Sequence, residues 1–444
     1  MKNNSLILLF FSILLFSHEL LGQTFNKPKM DSLFDVLSEK NKAMGSLAIS
    51  KNSKMIYERS IGYSFIADGS KIAATADTKY RIGSITKTFT AVMIFQLIEE
   101  EKLSLSTTMD RYFPSLPNAK KITVSNLLNH RSGLHNFTDR ADYEAWAIVP
   151  KKEKTMMNTI AKGGADFEPG TKASYSNSNY YVLGYLIEKI TKQSYAKNLE
   201  ERITSKVGLK NTYVGGKTDL KKQESLSYQF IDNKWIPKTE TSISVTGGAG
   251  CMVSTPADLT KFIEALFQLQ LVNANSLTTM KTMTDGYGMG ILLLPFETKK
   301  SYGHTGGIDG FASVMTYFTK DSLAVAYCSN GQVYSRNDIL LGVLNIYYDL
   351  DYSIPDFIPF QVKQEVLGTY EGVYANKDVP LKITISLNDS VLTAQATGQA
   401  VFPLEATSET RFKYDPARVV IIFNTEKKEL ILKQHGGVFI FYKE

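Results

Sequence analysis

Cysteine is nearly absent: Cys251 and Cys328 are the only two among 444 residues. That number cannot make a disulfide framework, and neither thiol has metal-site spacing, so both are expected as small buried apolar residues. A strong charge of one sign is also missing. The 50 Lys and Arg against 44 Asp and Glu give +6 without a basic block, which leaves sequence-independent nucleic-acid binding without its electrostatic footprint. No leucine-rich, helical or propeller-type period recurs, which excludes a solenoid. The chain lacks a G-x-S-x-G elbow and a Walker A loop, and Gly286, Gly288 and Gly290 are spaced too closely for a dinucleotide fingerprint. His130 and His135 have no carboxylate set beside them, so they read as structural, and neither a metal nor another cofactor is expected.

Long apolar runs are missing too, with one exception. Lys2 precedes the run Leu6 to Phe16, which is shorter than the roughly 20 residues that span a bilayer. With small residues near Gly22-Gln23, it reads as a secretory signal peptide over residues 1–22. The mature chain is therefore expected to be secreted or periplasmic, with no stable membrane span.

What is present is a chain long and apolar enough, at 43% hydrophobic residues, for a large folded domain with a smaller companion. Met30 to Lys42 has helical periodicity. Gly45–Lys51 and Lys54–Ser60 read as strands joined at Asn52-Ser53. Ser84 to Leu103 is apolar around most of its circumference, which predicts a buried helix. Further helices are predicted at Ser125–Asn129, Ser178–Thr191 and Pro256–Gln270, the last with Thr255 as N-cap and Asp258 following. Ala312–Phe318 and Leu323–Cys328 read as strands, and Asp338–Tyr348 as a closing helix. This order fits an α/β (α+β) fold, with an antiparallel sheet flanked by helices and a helical subdomain. The prolines near Ile354 and Ile358 mark a linker, placed at 354–362, between a domain at 23–353 and a module at 363–444. Short strand-like runs from Leu381 to Tyr442, separated by turn residues, make that module a small all-β barrel or curled sheet. It has no acid pair or histidine cluster, so a packing, oligomerising or lid role is expected of it.

Three segments carry chemistry. Ser84 and Lys87 stand three apart at the start of the buried helix, so they project from one face. A serine hydroxyl needs a base within reach to become a nucleophile, and a desolvated lysine becomes a candidate base. Tyr175-Ser176-Asn177 offers a phenol for proton transfer and an amide for contact with a substrate or with Lys87. Gly303-His304-Thr305-Gly306-Gly307 precedes the strand pair, where glycines let a substrate backbone lie along a strand. The backbone N–H groups of Ser84 and Gly307 are candidates for an oxyanion hole.

Ser-x-x-Lys, Tyr-Ser-Asn and His-Thr-Gly in this order resemble the serine β-lactamase / penicillin-binding protein superfamily, in particular its class C-type branch of D-stereospecific peptidases and esterases. Tyr80-Arg81-Ile82-Gly83, Leu127 to Leu134, and Gly247 to Leu259 add to the resemblance, which covers about residues 30 to 350. The C-terminal module resembles the lipocalin-like domains that follow some of these peptidases. The resemblance implies that Ser84 forms an acyl-enzyme and that Lys87 and Tyr175 manage its proton. It implies that Asn177, His304, Thr305 and Gly306 contact substrate, while Ser84 and Gly307 hold the oxyanion. His304 stands where the superfamily often has lysine, and a histidine is charged only near or below pH about 6.5 unless shifted. The implied activity is that of an exported serine hydrolase acting on small peptides, esters or β-lactam-like molecules. A D-amino-acid peptidase or DD-carboxypeptidase-like amidase is favoured, with an esterase or β-lactamase as the alternative. A non-catalytic penicillin-binding or sensor protein on the same scaffold is the second. Oligomerisation through the β module is a further expectation.

Overall fold

The computed structural model describes residues 25–444 apart from 68, 359, 378–380, 415, 416, 418, 435 and 436. The expected signal peptide, residues 1–22, lies outside the described residues. Helix α1 (Lys27–Glu39) starts at Asn26, whose side chain accepts the Lys29 N–H, and it buries Met30, Leu33, Phe34 and Leu37. It lies earlier than the periodicity predicts, because the Asn26 cap and Pro28 open it and Ala43 already belongs to the sheet. Strands β1 (Ala43–Lys51) and β2 (Lys54–Ile61) form the expected hairpin. Its turn residues Asn52 and Ser53 both take positive φ, 51° and 60°, as a tight two-residue turn requires.

Helix α2 (Thr86–Glu99) follows a short 3₁₀ turn, Gly83–Ile85, and is buried all round from Thr86 to Leu97. Helices α3 (Asn177–Thr191) and α4 (Pro256–Phe267) pack near it. Thr255 caps α4 by accepting the Asp258 N–H at 3.3 Å, and Phe89 of α2 stacks on Phe262 of α4 with centroids 3.6 Å apart. Strands β3 (Leu292–Leu293), β4 (Ser301–Ile308), β5 (Phe311–Phe318) and β6 (Leu323–Gln332) then join the first two. The sheet order is β3-β4-β5-β6-β1-β2, and every pair is antiparallel. Helix α5 (Arg336–Tyr347) closes the unit. One sheet face packs on α1 and α5 around Leu33, Phe34, Ile339 and Val343. The other meets α4 and the helical region, whose core runs through Phe89, Leu186 and Phe262.

One difference from the sequence reading concerns the glycine-rich third segment. It does not precede the strands; residues 303–307 lie within β4, paired from His304↔Met315 to Gly307↔Ala312. Glycine here serves close packing: a Cβ on Gly306 would lie 2.0 Å from the Ile82 carbonyl oxygen.

Residues 350–363, apart from 359, carry no helix or strand. Beyond them a helix (Gln364–Tyr370) precedes nine antiparallel strands between Gly372 and Lys443. The two strands at the ends of this sheet, Phe402–Pro403 and Glu405–Ala406, flank Leu404, so the sheet curls back on itself. Its core is separate, built from Leu367, Ile385, Phe412, Phe423 and Phe441 among others. Cys251 and Cys328 are both buried and free. Among the described residues no helix is long and apolar enough to cross a membrane.

Candidate active site

Ser84 sits in the 3₁₀ turn that runs into α2, one helical turn ahead of Lys87. Gly83 takes φ +50°, and a Cβ there would lie 2.8 Å from both N and O of Gly307. The turn carrying Ser84 is thus pressed, backbone to backbone, against β4. Only glycine allows both the conformation and the approach.

Lys87 is completely buried. Its Nζ contacts Ser84 Oγ at 2.9 Å, Asn177 Oδ1 at 2.8 Å and the Ala249 carbonyl at 2.9 Å. All three partners are neutral, so nothing compensates an ammonium charge, and burial holds the Lys87 pKa well below the usual lysine value. In the neutral form its two N–H groups satisfy Asn177 and Ala249, and its lone pair is left facing the Ser84 hydroxyl. Tyr175 Oη donates to Ser84 Oγ at 2.9 Å. Burial pushes the Tyr175 phenol up to about 12, so it stays a proton donor at neutral pH. The arrangement can remove a proton from Ser84 through Lys87 and supply one through Tyr175.

Asn177 opens α3 and is held from behind. Its backbone N–H donates to Asn136 Oδ1 at 2.9 Å, and its side-chain NH₂ lies 3.3 Å from Asn136 Oδ1 and 3.3 Å from Thr138 Oγ1. His130, read from the sequence as structural, packs directly on the Tyr175 ring with centroids 4.4 Å apart. Its Nδ1 accepts the Ser176 N–H at 3.2 Å, and burial holds its pKa well below the usual value. It braces Tyr-Ser-Asn from below as a neutral imidazole. His135 instead reaches Asp166 at 2.9 Å near the surface.

The third segment is split by the alternation of β4. Gly307 is exposed and lines the cavity beside Ser84, whereas His304 is only 3% exposed and Gly306 is buried. His304 Nδ1 lies 2.6 Å from the Thr305 carbonyl oxygen, which fixes the proton on that nitrogen. Burial, with Lys87 adding repulsion, pushes the His304 pKa down to about 3. It therefore provides no cation at neutral pH.

The cavity over Ser84 has a volume of about 250 Å³. Ser84, Asn177 and Gly307 lie along it, with Phe137 and Tyr143 as aromatic wall and Thr241 and Asp309 opposite. No lysine, arginine or histidine is among the described residues that line it. Sequence reasoning missed Arg81, Asn136, Tyr143, Thr241 and Asp309. The only available signal was Arg81, which stands in a quoted segment and is a costly residue to bury.

Residues 30–344 match the family model described as Beta-lactamase. The chain belongs to the Beta-lactamase family. It is a serine hydrolase of that family. It is 26% identical over 448 residues to penicillin-binding protein 4* of Bacillus subtilis, spanning 93% of this chain and 98% of that protein. It is 27% identical over 312 residues to a teichoic acid D-alanine hydrolase of Staphylococcus aureus, covering 69% of this chain and 74% of that one. The D-amino acid amidase from Ochrobactrum anthropi SV3, complexed with D-phenylalanine, superposes with a TM-score of 0.64 at 26% identity, over 72% of this chain and 99% of that one. An octameric penicillin-binding protein homologue from Pyrococcus abyssi shares the fold over 93% of this chain and 99% of its own, with a TM-score of 0.67 at 22% identity.

Proposed function

We propose that the protein is an exported serine amidase acting on D-aminoacyl substrates, with Ser84 as nucleophile. The observation that carries this is the convergence of Lys87 Nζ and Tyr175 Oη on Ser84 Oγ, each at 2.9 Å. Ser84 Oγ attacks the acyl carbon while its proton passes to Lys87. The lowered lysine pKa and the raised tyrosine pKa favour Lys87 over Tyr175 as first acceptor. The oxyanion is held by the backbone N–H groups of Ser84 and Gly307. The tetrahedral adduct collapses to an acyl-enzyme, and the proton returns through Tyr175 to the departing amine. Water then cleaves the ester and regenerates Ser84. Asn177 orients Lys87 and contacts the substrate amide, while Gly307 and Ile308 are the β4 residues along which the acyl group lies; His304, Thr305 and Gly306, expected to contact substrate, stand outside the cavity lining.

Charge favours one branch of the amidase reading. A carboxypeptidase needs a cation for the carboxylate of its substrate. Here His304 is neutral, no lysine or arginine lines the cavity, and Asp309 on its wall turns its carboxylate to Arg81 and the Thr241 N–H. The cavity therefore disfavours a substrate recognised by its carboxylate. The names of two relatives, a D-amino acid amidase and a teichoic acid D-alanine hydrolase, point the same way. We place the protein outside the cytoplasm on the signal-peptide pattern of residues 1–22, with a catalytic domain over 23–353 and an accessory β domain over 363–444.

The test is a substrate panel: D-alanine p-nitroanilide, a D-Ala-D-Ala peptide, nitrocefin and a short p-nitrophenyl ester, each with wild type and Ser84→Ala. The expected result is turnover best on the free-amine D-anilide and at least about 10³-fold lower in Ser84→Ala. A folded Ser84→Ala protein that stays within about tenfold of wild type would defeat the assignment.

A further inference from the structure

Arg81 precedes the nucleophile turn by a short step, pairs its backbone with Val253, and has a side chain only 4% exposed. Its guanidinium does not face the cavity; it reaches sideways to partners far apart in sequence. Nη1 donates to the Thr241 carbonyl at 2.7 Å and to Asp309 Oδ2 at 3.3 Å. Nη2 donates to the Gly216 carbonyl at 2.8 Å and to the Glu240 carboxylate. Asp309 in turn accepts the Thr241 N–H at 2.9 Å on its other oxygen. Glu240 also accepts the Thr218 N–H at 3.1 Å.

The places these partners occupy matter. Asp309 sits at the tip of the β4–β5 hairpin with φ 54°, just beyond Gly307. Thr241 and Asp309 are cavity wall. The two backbone donors assigned to the oxyanion belong to different segments, the turn at Ser84 and the strand at Gly307. These segments touch at Gly83, where not even a Cβ could be inserted. Such donors act only if held within roughly 0.5 Å of the productive position. A buried ion network is a poor source of stability, since well-packed apolar side chains in its place are often as stable or more so. In some proteins such a network instead fixes geometry.

We propose that Arg81 is a positioning residue that, through Asp309, locks the hairpin bearing Gly307 to the turn bearing Ser84 and so sets the spacing of the oxyanion hole. Glu240 and the Gly216 and Thr241 carbonyls hold the guanidinium in the orientation that does this. The proposal rests on the reading of Ser84 as nucleophile.

The experiment compares full-length wild type with Arg81→Gln, Arg81→Lys, Asp309→Asn, the double variant Arg81→Gln/Asp309→Asn, and Ser84→Ala. Active sites are titrated with a fluorophosphonate, so that rates are per folded, reactive enzyme. Measured are kcat and KM on a p-nitrophenyl ester, the affinity for a boronic acid that forms a tetrahedral adduct, and Tm. Arg81→Gln is expected to lower kcat about 10²-fold with KM within about threefold, and to weaken boronate binding in parallel. Arg81→Lys recovers part of the loss, because a lysine keeps the charge but not the fork. The double variant loses no more than the worse single one, as for two members of one unit. Should Arg81→Gln fail to fold, Asp309→Asn, which keeps size and shape, decides the question alone. Folded variants that retain kcat and boronate affinity within about threefold, while Ser84→Ala is inactive, overturn the clamp and leave the nucleophile intact. A Ser84→Ala protein that remains active overturns the nucleophile instead.

Discussion

The two parts of this chain bury different things. Among the described residues, every buried polar or charged side chain lies at or before Asn330, including Arg81, Lys87, His130 and His304. The core of the C-terminal β domain is aliphatic and aromatic. Its two buried tyrosines send their hydroxyls to backbone carbonyls, Tyr370 to Glu409 at 3.1 Å and Tyr374 to Tyr370 at 2.8 Å. Taking an ion out of water costs several kcal/mol even after relaxation. The larger domain buries titratable side chains beside Ser84, either held neutral, as Lys87 and His304 are, or paired, as Arg81 is, and the smaller domain avoids this. Burial that opposes stability marks chemistry, whereas burial that serves stability marks scaffold.

The sharpest way to break this contrast is at Lys87. Lys87→Met removes a buried amine without a large change of volume, so the protein is expected to fold with a similar Tm while ester turnover falls about 10²–10⁴-fold. A variant that stays active, or one that unfolds, would place Lys87 on the scaffold side. Tyr175→Phe comes next: loss of one hydroxyl near the reacting oxygen lowers kcat about 10²-fold and leaves the fluorophosphonate adduct on Ser84 detectable by mass spectrometry.

Titration gives a third comparison. The lowered Lys87 pKa means the neutral, active form dominates above it, so kcat/KM is lost as pH falls through that depressed value. For His304, with a folded pKa of about 3, the unfolded chain binds the extra proton between pH 3 and the ordinary histidine range. Stability therefore falls as pH drops through that window. His304→Gln is expected to flatten the acid limb of Tm against pH. An unchanged slope would show that the histidine is not held neutral. The smallest effect on activity is expected from the other domain. Phe423, stacked on Tyr370 at 4.2 Å, lies in its core, so Phe423→Ala should destabilise that domain by about 3–5 kcal/mol. Ester turnover should stay within about twofold. A large loss would mean the β domain supports the site directly.

Much of the body was legible because its cues are local. The Asn52-Ser53 turn, the all-round apolar α2, the Thr255 cap and the Ser84/Lys87 spacing are each set by neighbours within a few residues. The glycine-rich segment was placed ahead of the strands because three glycines in five residues carry none of the branched or aromatic side chains that mark a strand. Here Gly306 is small only so that β4 can pass the Ile82 carbonyl. In the β domain the longer strands were visible. The pairs at Phe402–Pro403 and Glu405–Ala406 were not, since two-residue strands have no periodicity to detect.

The sequence by itself determined the nucleophile candidate, its lysine and the Tyr-Ser-Asn segment, because helix pitch and short motifs bind residue type to position over a few residues. Only the tertiary structure decided that His304 is neutral, that Arg81 faces Asp309 rather than substrate, and that Tyr143 and Thr241 wall the cavity. Those facts depend on desolvation and on contacts between segments as distant as Arg81 and Asp309, and neither quantity exists until the chain has folded.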